Sequence, residues 1–107
     1  MKTKNTEQMI LECYEEFKKG NREHVPKGMN ENSAKMTMRW LDSLFTGKTY
    51  HRNGSALQYK LILEHIKKDY GNDKLLLAKS VLMEHCEWTL KHHNNRMITH
   101  RKILESF

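Results

Sequence analysis

Asp73-Lys74-Leu75-Leu76-Leu77-Ala78-Lys79-Ser80-Val81-Leu82-Met83-Glu84-His85-Cys86-Glu87-Trp88-Thr89-Leu90 is the stretch on which the fold turns. Its apolar residues fall nearly all round a helical wheel and never alternate with period two. That pattern predicts a long α-helix buried at the centre of a helical domain. Asn72 or Asp73 supplies the start, and Gly71 stops whatever precedes it.

Working outward, Tyr59, Ile62, Leu63, Ile66 and Tyr70 keep helical register after a cap at Ser55 or Asn53. Ala34, Met38, Leu41 and Phe45 form a further stripe, with Trp40 and Leu44 beside it, and Gly47 ends that helix. Near the start, Ile10, Cys13, Tyr14 and Phe17 share one face behind a cap at Asn5 or Thr6. Pro26 and Gly28 leave residues 20–32 as a loop. Asn94-Asn95 are poor helix residues and good turn residues, so a break there precedes a short last helix carrying Met97, Ile98, Arg101 and Leu104. The expectation is an all-α compact bundle of four to five helices, at about 6–19, 32–46, 55–70, 73–93 and 96–106. Residues 1–107 form a single domain in this reading, with 1–5 disordered.

Composition narrows the functions. The 107 residues carry 19 Lys and Arg against 13 Asp and Glu, a formal charge of +6. Each half contributes +3, ten cations against seven acids up to Asn53 and nine against six beyond it. The positive balance therefore belongs to the whole domain and favours polyanions. No apolar run reaches the roughly 18 residues of a membrane span, and no secretory signal is expected, because no 7–15-residue apolar stretch follows the basic start. Two cysteines, Cys13 and Cys86, make no disulfide framework, and both sit in apolar helical segments. An intracellular, cytoplasmic setting is expected. The lysine- and asparagine-rich, proline-poor composition suits an AT-rich genome, and small helical proteins of this kind are frequent in mobile elements.

Several chemistries fail on spacing. Gly47-Lys48-Thr49 resembles the end of a phosphate loop, but Asp42 stands where that loop needs its first glycine. His85 and Cys86 are seven residues from His92 and His93, roughly 10 Å along a helix and too far for one ion. Glu84 and Glu87 flank Cys86 and oppose a thiolate. The join between the second and third helices is too long for a compact helix-turn-helix. No enzymatic activity, metal or other cofactor is expected.

Two basic features remain. Between Glu87 and Glu105 there is no acid, while Lys91, Arg96, Arg101 and Lys102 add four cations that could neutralise phosphates. The loop Lys48-Thr49-Tyr50-His51-Arg52-Asn53 interleaves cations with a ring able to stack on a base. The leading expectation is a small accessory or regulatory protein binding DNA or RNA through phosphates, with Lys91, Arg96, Arg101 and Lys102 as contacts and Lys48 and Arg52 as helpers. The alternative is a protein-binding module, an inhibitor or adaptor, acting through a Met36, Met38 and Trp40 surface or as a homodimer. Met36 and Met38 cannot both face the core from one helix, so one of them should reach the surface.

Overall fold

A computed structural model describes residues 5–48, 50–51 and 54–107. The expected disorder of residues 1–5 falls mostly outside that range. Among the described residues the chain forms five helices: α1 (Thr6–Lys18), α2 (Glu31–Thr46), α3 (Ala56–Tyr70), α4 (Asn72–His93) and α5 (Ile98–Glu105). No helix among them is long and apolar enough to cross a membrane.

Local chemistry sets these boundaries. Asn5 and Ser55 each form a reciprocal capping box, with Gln8 and Gln58 respectively, which satisfies backbone N–H groups at the first turns of α1 and α3. The Asn30 side chain accepts from the Asn32 amide at the start of α2. Gly47 closes α2 at φ +79°, a left-handed conformation that costs a side-chain-bearing residue about 1–2 kcal/mol. A Cβ at that position would also sit 3.3 Å from Leu77 Cδ1. Gly47→Ala should therefore lower the thermal midpoint by roughly 4–8 °C per kcal/mol lost, measurable by circular dichroism.

The break at Asn94-Asn95 is present. Asn94 takes φ +53° at the end of α4, and the Asn95 side chain accepts from the Met97 amide at 3.0 Å. Asparagine tolerates the left-handed region and can form this turn with its own side chain.

Packing follows the stripes. α1 lies on α2 and α3, α2 also on α4, and α3 on α4, which closes a four-helix ring. α5 covers the α3–α4 edge. The α1 stripe of Ile10, Cys13, Tyr14 and Phe17 is buried as expected, and so are Tyr59, Ile62, Leu63 and Ile66 of α3, while Tyr70 at the end of the α3 stripe is 43% exposed. α4 shares the centre with α3 and leaves Leu76 58% exposed, so it is not buried all round. At the far end, Tyr14 and Lys18 both donate to the Asp69 carboxylate at 2.8 Å, joining α1 to α3. Lys18 first and Tyr14 second hold that carboxyl below its usual range. Both cysteines are buried, and burial pushes the Cys86 thiol up.

α2 departs from its expected face. Trp40 and Leu44 lie in the core at 1% and 0% exposure, with Met38 at 4%, while Phe45 is only half-buried between Phe17 and Tyr70. The α2 stripe is wider than the four residues read from spacing, because this helix packs on both α1 and α4. Met36, 44% exposed, is the methionine that reaches the surface. A protein-binding face built on Met36, Met38 and Trp40 is therefore reduced to Met36.

Candidate functional site

The C-terminal basic run divides on inspection. Lys91, Arg96 and Lys102 are exposed, and among the described residues no carboxylate reaches ion-pair distance of them. Arg101 behaves differently. Its Nη1 donates to Glu87 Oε1 at 2.8 Å, its Nε donates to the Arg96 carbonyl at 2.8 Å, and its side chain is 25% exposed. Glu87 is also the main cause that raises the Arg101 pKa. Arg101 thus bridges α4 and the turn before α5, with one exposed carboxylate, Glu87, as its ion-pair partner. A phosphate contact by Arg101 would compete with these two bonds.

That bridge nevertheless gathers its neighbours. It holds the Arg96 backbone against Glu87, and Lys91 lies one helical turn beyond Glu87 on the same side of α4. Lys102 follows Arg101 on α5, about 100° further round the helix axis. Three cations with no carboxylate at ion-pair distance thus flank the Glu87–Arg101 pair along the chain.

The second basic feature meets the first through His51. Its ring stacks on Trp88 of α4 with centroids 4.0 Å apart and planes 15° apart. His51 Nδ1 lies 3.4 Å from Nδ1 of His85, which is buried on α4. His92 stacks on Trp88 at 4.7 Å and donates from Nδ1 to the Trp88 carbonyl at 3.0 Å, while His93 meets the same indole edge-on. At the other end of the loop, His100 Nε2 donates to the Gly54 carbonyl at 2.7 Å, tying α5 to the loop exit. Tyr50 is half-buried against the core and Lys48 is exposed. Arg52 lies outside the described residues.

His85, Trp88 and His92 share one face of α4 at spacings of three and four, a pattern visible in the sequence but not read from it. His51 comes from 34 residues away, and no local spacing announces it. Among the described residues no group of three or more His, Cys, Asp or Glu side chains converges to hold a metal ion.

Burial lowers the His85 pKa, with the neighbouring His51 and His100 acting in the same direction. Below an ordinary histidine value of about 6.5 the unfolded chain takes up a proton that the folded protein resists at this position. Stability contributed here is therefore complete above that value and falls as the pH drops through the depressed folded one. The thermal midpoint should decline more steeply between pH 7.5 and pH 5 in the native protein than in His85→Gln. Equal slopes in the two proteins would contradict this reading.

Fold and surface together define a class: a small, basic, five-helix protein with a tryptophan ringed by histidines near the end of α4. No protein-family model matches the chain, and no curated protein or solved structure matches it either.

Proposed function

We propose that this protein is a non-enzymatic accessory or regulatory factor that binds nucleic acid mainly through phosphate contacts. Lys91, Arg96 and Lys102 are the principal contacts, with Lys48 and Arg52 as helpers and Arg101 as the clamp that positions the corner. The observation that carries this reading is the 4.0 Å stack of His51 on Trp88. It puts His51 against Trp88, three residues before Lys91 in α4, and a shared phosphate-binding surface built from the loop and the C-terminal run is the reading this contact supports. Each phosphate neutralised releases condensed counterions, which makes such binding tight at low salt and weak at high salt. Contacts of this kind fix position on a strand without reading its sequence.

The test is direct. Labelled duplex and single-stranded oligonucleotides of unrelated sequence are titrated with the protein at about 50 mM salt and again at about 200 mM. Three phosphate contacts correspond to roughly a 40-fold loss across that range, and five to several hundred-fold. Absence of any binding at the lower salt would end the proposal. Binding that ignores salt would transfer the case to a protein-like, apolar mode of recognition.

A further inference from the structure

A second cationic site lies along α2. Arg22 from the α1–α2 loop, Lys35 and Arg39 from α2, and Lys48 and Tyr50 from the following loop line an open groove of 410 Å³. Asp42 is the sole carboxylate among its lining residues, and Arg22 Nη1 meets it at 2.5 Å. Lys35 makes only an exposed contact to Glu31 at 3.5 Å. Arg39 and Lys48 are exposed, and among the described residues no carboxylate reaches ion-pair distance of either. The groove thus holds four cations against one acid, over a floor that includes buried Met38 and half-buried Tyr50.

That combination has a definite chemical complement. An apolar floor with a few polar groups at its edge is how small-molecule sites generally hold and orient a ligand, and this volume lies in their usual range of about 300–1,000 Å³. Arg39 offers a planar fork suited to a phosphate, and Lys48 a mobile point charge. Tyr50 offers a ring edge or face to a base. We infer that the α2 groove is a binding site for a free nucleotide, with Arg39 and Lys48 on the phosphates and the base against Tyr50 and Met38. A long acidic peptide fits less well, because it would leave the apolar floor unused. The site shares Lys48 and Tyr50 of the loop with the surface proposed above, while Arg22, Lys35 and Arg39 belong to it alone, so either can stand without the other.

Titration of the whole protein with ATP, AMP and pyrophosphate, followed by backbone-amide NMR, tests the inference. Saturable shifts are expected at Arg39, Lys48 and Tyr50 and not at Arg96 or Lys102. Arg39→Glu, at an exposed position, should weaken ATP binding about ten-fold or more by turning attraction into repulsion. Asp42→Asn should tighten it several-fold, since it removes the only acid and releases Arg22, an effect that loss of structure cannot imitate. Tyr50→Ala should weaken ATP and leave pyrophosphate unchanged; should that variant fail to fold, Tyr50→Leu keeps the apolar bulk and serves in its place. Shifts spread over all surface cations, unsaturated binding, or equal competition by hexaglutamate would each overturn the inference. Oligonucleotide binding that persists while ATP fails would overturn this site alone, and the converse would overturn only the α4–α5 surface.

Discussion

Trp40→Ala is expected to remove a large part of the stability of this protein. The side chain is 1% exposed and its indole stacks on Tyr59 with centroids 6.0 Å apart, where α2 meets the interior. Truncating a buried tryptophan to alanine costs about 3–5 kcal/mol through lost burial and the cavity left behind. Domains of this size have only about 5–15 kcal/mol in total. The denaturant midpoint should fall sharply, and Trp40→Phe should recover part of it by refilling the space. An unchanged midpoint in Trp40→Ala would contradict the packing described for α2. The consequence for function is practical: a partner lost on Trp40→Ala would report unfolding, so a protein-binding role has to be tested at Met36, for example with Met36→Lys.

Charge reversal at Lys91 and Arg96 should produce the largest effect on nucleic-acid binding. Both side chains are exposed and neither is engaged by a carboxylate among the described residues, so Lys91→Glu and Arg96→Glu should leave the thermal midpoint close to that of the native protein. Together they should lower oligonucleotide affinity by roughly 10- to 100-fold at about 50 mM salt and reduce the salt slope by about two. The loss should be uniform across sequences, because these contacts carry no base information. Arg101→Ala offers the instructive contrast. It should weaken binding indirectly while also lowering stability, since it breaks the 2.8 Å contacts to Glu87 and to the Arg96 carbonyl. If the double reversal leaves affinity unchanged while the protein stays folded, the α4–α5 corner is not the contact surface.

The two sets of variants separate roles that look alike along the chain. Arg96 and Arg101 are both cations in an acid-free stretch, yet one stands in water and the other spans two helices. Met36, Met38 and Trp40 are three apolar residues within five positions, yet only the first is open to a partner.

The sequence by itself determined the helices and where they stop. Capping asparagines and serines, glycine at left-handed positions and the Asn94-Asn95 turn act through hydrogen bonds reaching only a few residues, so their effect is legible in one dimension. The buried stripes of α1 and α3 and the burial of both cysteines follow from the same periodicity. What only the tertiary structure decided is which side chains meet across helices. Glu87 claims Arg101, His51 lies on Trp88 and meets His85 from 34 positions away, α2 turns Trp40 inward, and Arg22 joins Lys35, Arg39 and Lys48 around one groove. Those meetings depend on how helices pack and how loops dock, on contacts between residues far apart in the chain, and no short-range spacing encodes them.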